Sequence, residues 1–273
     1  MKKNLQIWTV IVLTLFLFPV VIQFIPEESK ISNSKIIKEN ALIVYASNIV
    51  AEDESVPEVE VEAMEEEIKL GKVLLYNTHS HEAYEPMTKA ADGKIAVDHQ
   101  TENVVKMSDK LKSQLETNGA ETEILKKVVQ HKHAYSDIRP YVKKRVSENE
   151  YDLIIDIHRD SVGPEKTTII HENQRYAKVA FVLGVDNPYY KKNEAMTNRI
   201  KAGMEKRVPG ITRNVISKGG AGVDGKYNQD LHPNLILLEL GGIGNSEDEL
   251  NRTIAVISEA ILEMLSENEM EEK

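Results

Sequence analysis

Short apolar runs alternate with amphipathic stretches from residue 71 onward, and this alternation is typical of an α/β domain. Five runs predict buried strands: VLLYN (73–77), ETEIL (121–125), LIIDI (153–157), KVAFVLG (178–184) and LILLEL (235–240). A weaker sixth is TTIIH (167–171). The pattern predicts a mostly parallel sheet with helices on both faces, in which ligands collect at the carboxyl ends of the strands.

Three longer segments between the strands have helical periodicity. The first is expected to begin at Thr101 as its N-cap and to end at Asn118-Gly119. Its apolar face is Val104, Met107, Leu111 and Leu115. The second opens at Asn187, directly before Pro188. The last opens with Ser246 and Glu249, which have the spacing of a capping box, and its apolar stripe is Leu250, Ile254, Ile257, Leu262 and Leu265.

The amino-terminal segment differs from the rest of the chain. Lys2 and Lys3 precede an uncharged run from Leu5 to Ile25, which is about long enough to cross a bilayer as a helix. No small-residue cleavage site follows closely, so the run predicts an uncleaved membrane anchor. The two lysines favour a cytoplasmic amino terminus, which places the rest of the protein outside the membrane.

Charge defines the next segment. Nine acids and one lysine lie between residues 51 and 70 and repel one another, as in a solvated spacer. We therefore expect a membrane anchor at 1–25, an acidic extracytoplasmic linker at 26–70 and a folded domain at 71–273. The folded domain is nearly neutral apart from its acidic tail, which argues against nucleic acid as a partner.

Three residues that carry chemistry lie at strand ends. His79 follows VLLYN, His158 follows LIIDI, and Glu239 lies near the end of LILLEL. Because the carboxyl ends of parallel strands meet at one edge of a sheet, we expect all three to converge there. The chain has no cysteine, so a metal at this edge must be held by His, Asp or Glu.

Glu239 is a carboxylate among large aliphatic residues, where an ionised and unpaired group costs several kcal/mol. One interpretation is a buried salt bridge or a strand face that is open to water. The other is a catalytic carboxylate, because burial shifts the pKa of a glutamate toward neutrality and suits it to acid or base work.

The sequence HSHE contains His79-x-x-Glu82. Two ligands three apart on a turn, with His158 from a distant strand, match a zinc site that leaves its fourth position open for water. Such a site hydrolyses amides, with Glu239 as the proton shuttle. His81 is an alternative to His79 as ligand; we favour His79 and expect His81 to be a supporting or surface residue.

Other polar residues surround this set. Asp156 and Asp160 flank His158, and one of them is expected to orient its imidazole. His131 and His133 resemble a metal pair but are expected in a solvated loop. His99 and His171 are expected to be ordinary surface or core histidines.

The segment SKGGAGVDGKYNQDLHP is rich in glycine but lacks the following helix that a phosphate-binding loop requires. We expect a flexible wall of the substrate cleft, with hydrogen bonds from Tyr227, Asn228, Gln229 and Asp230, or else an ordinary turn.

Four motifs in series, NTHSHEAYEP, DIHRD, YNQDL and LLELGGIGNSEDE, resemble the stage II sporulation protein P family over about residues 72–265. The resemblance implies a zinc amidase fold with a mixed, mostly parallel sheet. It also implies a membrane-anchored N-acetylmuramoyl-L-alanine amidase that cuts peptidoglycan during engulfment, often with endopeptidase activity, together with stage II sporulation proteins D and M. Matched by motif, His79, Glu82 and His158 would bind zinc and Glu239 would be catalytic. One departure is Asn77, at a position that is commonly histidine in the family.

Two other interpretations stay open. A zinc carboxypeptidase of wall peptides shares the ligand pattern but needs an arginine that holds a terminal carboxylate; the candidates are Arg139, Arg159, Arg199 and Arg213. A non-catalytic wall-binding scaffold would have no need for a buried proton shuttle, so the intact set with Glu239 argues against it.

Overall fold

The computed structural model describes residues 70–271. The expected membrane anchor and nearly all of the expected linker lie outside this range. Within residues 70–271, no helix is both long enough and apolar enough to cross a membrane.

The described chain has eight strands and six helices. The strands are β1 (Lys72–Tyr76), β2 (Glu121–Leu125), β3 (Leu153–Asp160), β4 (Thr168–His171), β5 (Gln174–Ala177), β6 (Val179–Gly184), β7 (Ile216–Lys218) and β8 (Leu235–Gly242). The helices are α1 (Glu85–Asp92), α2 (Val104–Thr117), α3 (Ala134–Glu148), α4 (Pro164–Thr167), α5 (Tyr190–Arg207) and α6 (Glu247–Glu271). Single 3-10 turns at His131–His133 and Gln229–Leu231 precede α3 and β8.

Six strands form one sheet in the order β2-β1-β3-β8-β6-β7. The pairs β2-β1, β1-β3 and β3-β8 are parallel, and β6 runs antiparallel to β8. The predicted α/β class with a mixed, mostly parallel sheet is therefore confirmed. The weak strand TTIIH is β4, but it pairs with β5 in a separate hairpin instead of joining the sheet.

Helices cover both faces of the sheet. Apolar residues of α2, α5 and α6 pack with Leu153, Ile155 and Ile157 of β3 in the larger core. On the other face, Ile138 and Val142 of α3 pack in a smaller core whose other buried members are Leu74, Tyr76, Tyr151, Ile154 and Leu235. Both faces of β3 are thus enclosed, as expected for a central parallel strand.

The helix boundaries confirm one capping prediction and correct another. Ser246 N donates to Glu249 Oε2 over 2.9 Å and Glu249 N donates to Ser246 Oγ over 3.3 Å, which is the predicted capping box. The prediction of Thr101 as the cap of α2 is wrong, because Asn103 accepts from Val105 N at 3.0 Å and so holds the first turn.

The helix predicted to open at Asn187 is α5, which begins at Tyr190. Asn187 Oδ1 accepts from Tyr189 N at 2.7 Å and holds the turn before the helix.

Glu249 does more than cap its helix. Its carboxylate also accepts from Asn245 Nδ2 at 2.9 Å and from Arg175 Nε at 2.6 Å, and the side chain is buried. It therefore ties the start of α6 to strand β5. Although burial raises its pKa, these hydrogen bonds outweigh burial and lower the pKa of Glu249.

We predict that Glu249→Gln lowers the free energy of unfolding by about 2 kcal/mol, because the amide leaves buried donors without a charged acceptor. Asp248→Asn, at the exposed neighbouring position, is the matched control and should change stability by no more than about 0.5 kcal/mol. Urea denaturation of the two variants measures both values. Equal effects would show that the network around Glu249 contributes nothing beyond surface charge.

Candidate active site

Strand β3 has two chemically different faces. Leu153, Ile155 and Ile157 face the larger core and stay apolar along the whole strand. On the opposite face the sequence changes from Ile154, in the smaller core, to Asp156 and His158, which are fully or almost fully buried. The polar residues thus occupy the carboxyl-terminal half of one face, where parallel sheets bind ligands.

The sheet register places Glu239 beside His158. The two are direct partners in the pairing of β3 with β8, and parallel neighbours lie roughly 4.8 Å apart with their side chains on the same face. A bulge follows between His158 and Asp160, so that Asp160 pairs instead with Gly242. Backbone pairing therefore fixes which carboxylate stands next to the histidine.

A tight turn after β1 brings two further residues to this edge. Glu82 N donates to His79 O over 3.2 Å, which closes the turn. Glu82 Oε2 then lies 3.6 Å from Nδ1 of His158 and accepts from the backbone N–H of Arg159 at 2.9 Å. The ring of His79 lies edge-on to that of His158, with centroids 5.4 Å apart. The structure thus brings together His79, Glu82, His158 and Glu239.

The other nitrogen of His158 faces Asp156. Nε2 lies 3.0 Å from Asp156 Oδ1, without the alignment of a hydrogen bond. Asp156 is in turn fixed by Thr78, whose N–H and hydroxyl donate over 2.9 and 2.6 Å. Although burial opposes protonation, the two carboxylates of Asp156 and Glu82 raise the pKa of His158 well above its usual value. This placement suits Asp156 to orient the ring.

Burial raises the pKa of Glu239 to about 7, with smaller contributions from the nearby carboxylates and an opposing one from His158. Its Oε2 is enclosed and has no hydrogen-bond partner among the described residues. A glutamate that titrates near neutrality can both accept and return a proton in one reaction cycle.

Asn77 points away from this set. Its Nδ2 donates to Ile157 O over 2.7 Å and its Oδ1 accepts from Ser108 Oγ at 3.1 Å. The side chain is buried between β3 and α2. At this position an amide therefore performs a packing role.

His131 is a site residue that sequence reasoning missed. It lies in an exposed short turn, as expected, but its ring is 4.5 Å from that of His79, and both line the same cleft. Tyr135, one helical turn further, stacks over His158 with centroids 6.1 Å apart. The spacing of four residues between His131 and Tyr135 was the available signal, since such residues share one side of a helical segment.

The cleft has an accessible volume of about 340 Å³. The turn after β1 and the segment before α2 form much of its wall, and the lining residues are Thr78, His79, Ser80, His81, Glu82, Val97, Asp98, Val129, His131 and Arg159. His81 lies on the outer wall, with Nδ1 3.9 Å from Asp98. The structure therefore groups His79 rather than His81 with His158.

The remaining predicted site residues are held by internal contacts. Asp160 pairs with the guanidinium of Arg213. Asp230 accepts two hydrogen bonds of 2.7 Å from Arg139, and Asn228 accepts a third of 3.0 Å. These contacts fix the segment before β8.

Gln229 is fully buried, where it accepts from Gly184 N and donates to Val182 O. The fourth residue expected in the cleft wall, Tyr227, contacts Tyr135 edge-on at 5.1 Å, and so borders the site from outside.

The donor types suit a zinc ion, and one pair of them has a suitable spacing. Nδ1 of His158 and Oε2 of Glu82 are 3.6 Å apart, close to the roughly 3.4 Å between two ligands in a tetrahedral zinc site. Nδ1 of His79 is enclosed without a hydrogen-bond partner in the described part of the chain, and burial lowers the pKa of His79, which favours the neutral ring that binds metal. Within residues 70–271, no group of three such side chains is arranged to hold a metal ion.

The family model of stage II sporulation protein P matches residues 21–262 of the chain. Stage II sporulation protein P of Bacillus subtilis strain 168 is 34% identical over 202 residues, which are 70% of this chain and 50% of that protein. The chain therefore spans about half the length of this curated relative.

Solved structures match the chain at low identity. The CwlD amidase of Clostridioides difficile, determined in complex with the GerS lipoprotein, has a TM-score of 0.50 at 14% identity, over 72% of this chain and 98% of that one. Murine aminoacylase 3 has a TM-score of 0.41 at 14% identity, over 72% of this chain and 65% of that one. The first likeness supports an amidase-like fold.

We predict that Glu239→Gln removes a pH-dependent loss of stability in metal-free protein. Because the folded-state pKa of Glu239 is raised to about 7, the parent loses stability as the pH rises from its unfolded pKa, near 4.5, through 7. Allowing for partial solvent exposure, the variant should gain about 2 kcal/mol on the parent between about pH 5 and about pH 8.

Urea denaturation in the presence of a chelator measures this difference. Glu247→Gln, whose carboxylate pairs with Lys110 on the surface, is the control and should show no such gain. A constant difference between Glu239→Gln and the parent at both pH values would contradict a raised pKa for Glu239.

Proposed function

The chain belongs to the stage II sporulation protein P family, and we propose that it is a peptidoglycan hydrolase that cleaves the amide between N-acetylmuramic acid and L-alanine. The observation that carries this proposal is the pairing of Glu239 with His158 at the sheet edge, beside His79 and Glu82. These are an enclosed proton acceptor and three candidate metal ligands close together, and two of the ligands, His79 and Glu82, line the cleft.

His79, Glu82 and His158 would hold a zinc ion. When bound, zinc supplies Lewis acidity that polarises a carbonyl group and acidifies water. Contacts within the protein hold two of these side chains in place. Asp156 faces Nε2 of His158, and the backbone N–H of Arg159 donates to the carboxylate of Glu82. Ligands held in this way lose little freedom on binding.

Glu239 would move the proton. In amide hydrolysis the attacking water loses a proton as its oxygen bonds to the carbonyl carbon, and the leaving nitrogen must gain one as the C–N bond breaks. Oε2 of Glu239 is free of internal hydrogen bonds within the described chain, and its raised pKa suits both transfers. The products are the free lactyl carboxylate of muramic acid and a stem peptide with a free L-alanine amine.

The family resemblance extends the proposal to the cell. We infer a membrane-anchored enzyme whose domain lies outside the cytoplasmic membrane and remodels septal peptidoglycan during engulfment. Stage II sporulation proteins D and M are the proposed partners, and endopeptidase activity on cross-bridges is a proposed second activity.

A zinc carboxypeptidase is the second candidate, and one observation favours it. Of the four arginines considered, Arg139, Arg199 and Arg213 pair with Asp230, Glu267 and Asp160. Arg159 lines the cleft. A carboxypeptidase needs such a residue, although an amidase can use it too.

We predict that the zinc-loaded protein releases intact stem peptides with a free amino-terminal L-alanine from purified peptidoglycan. Chelation should abolish release, and Glu239→Gln at equal metal content should lower the rate by at least about 100-fold, because proton transfer is lost. Mass spectrometry of the soluble products measures both effects.

The control is Asp248→Asn, whose exposed side chain lies at the start of α6. Release of single amino acids would favour the carboxypeptidase. Binding to the wall without release of any product would favour a scaffold.

We also predict that His79→Gln weakens zinc affinity by about 100-fold or more, whereas His81→Gln changes it less than about fivefold. Competition with a chromogenic chelator measures both constants, and the two variants are matched because the residues share one turn. The reverse order would assign the ligand to His81.

A further inference from the structure

Arg159 is a charged cleft residue for which the proposed reaction gives no role. Its guanidinium is held by backbone carbonyls: Nη1 donates to Asp160 O over 3.2 Å and Nη2 donates to Val97 O over 3.0 Å. Nε is enclosed and has no partner within the described chain. The side chain is therefore positioned by neutral groups.

The other arginines near or behind the site differ in this respect. Arg139 and Arg213 each form an ion pair with a carboxylate, Asp230 and Asp160 respectively. A guanidinium has five N–H donors, of which Arg159 uses two on carbonyls. Its charge has no carboxylate partner within ion-pair distance among residues 70–271, so it can bind an anionic group of the substrate.

Within residues 70–271, the acidic residues that share the cleft form no ion pair with the Arg159 side chain, although its charge helps to stabilise the Glu82 carboxylate. Glu82 lies 3.6 Å from His158 and uses the backbone N–H of Arg159, not its side chain. Asp98 is largely exposed, and Nδ1 of His81 lies 3.9 Å from it. The guanidinium thus remains available on the wall of the cleft.

The position of Arg159 limits which group it can reach. It lines the same cleft as His79 and Glu82, two of the proposed metal ligands. In a wall stem peptide, L-alanine is followed by D-glutamate, which is linked through its side chain and leaves its α-carboxylate free. That carboxylate lies within roughly 7 Å of the scissile amide, whereas those of later residues lie beyond about 10 Å in an extended peptide.

We propose that Arg159 is a specificity-determining residue that binds the free α-carboxylate of D-isoglutamate, the second residue of the stem peptide. This inference rests on the proposed amidase function. The protein then discriminates against stems in which that carboxylate is amidated to D-isoglutamine, because the amide offers neither the charge nor two equivalent acceptors to the guanidinium.

The test uses uncross-linked glycan strands whose stems carry either D-isoglutamate or D-isoglutamine. We expect the zinc-loaded parent to cleave the isoglutamate strands with a kcat/KM about 10- to 100-fold higher, in line with a charge-assisted hydrogen-bonded pair. Arg159→Gln should reduce this ratio to about 1, mainly by raising KM on isoglutamate strands. Arg159→Lys should retain part of the preference, since it keeps a point charge without the bidentate fork.

Arg199→Gln is the matched control, because Arg199 pairs with Glu267 on helices behind the sheet; it should keep the parent's ratio. If Arg159 only held the Val97 segment in place, Arg159→Gln would lower cleavage of both kinds of glycan strand equally. That result overturns the proposed subsite. Equal cleavage of the two strands by the parent overturns it as well. Cleavage of neither strand by the parent overturns the amidase itself, and with it this inference.

Discussion

The site depends on one constraint: the parallel central strands β3 and β8 hold the imidazole of His158 and the carboxylate of Glu239 side by side near their buried carboxyl ends. The register of β3 with β8 sets His158 opposite Glu239, and no side-chain contact is needed to specify that pairing. A shift of one residue in either strand would turn the side chain of His158 or of Glu239 to the opposite face of the sheet. The apolar residues on the reverse face of β3 therefore fix the chemistry, because they fix the register.

The surrounding polar groups offset much of the free-energy cost of burying these charged side chains. Asp156 is fully buried, but it accepts two hydrogen bonds from Thr78 and faces His158, so its charge is compensated. Glu82 is compensated by His158 and by a backbone N–H. Of these three carboxylates, only Glu239 has an enclosed oxygen without a hydrogen-bond partner in the described chain, and burial raises its pKa to about 7.

Periodicity and strand-end placement predicted most of this arrangement, because they are local properties of the sequence. They identified the main strands, the capping box at Ser246 and the convergence of His79, His158 and Glu239. They could not separate Thr101 from Asn103 as a helix cap, since both residue types accept hydrogen bonds from a first turn. They also missed the hairpin turn at Glu172 and Asn173, where both residues adopt positive φ without a glycine.

His131 was missed for a different reason. Its place beside His79 depends on how the connection from β2 to α3 crosses the end of β1, which is a long-range property of the fold.

The bond between Arg159 and Glu82 has a consequence for how relatives of this protein can diverge. Glu82 is held by the main-chain N–H at position 159, so every residue except proline can supply the same donor. The side chain at that position is then not needed to hold Glu82, the proposed metal ligand. Under the proposed function, substrate preference can change at position 159 during evolution while the support of Glu82 stays the same.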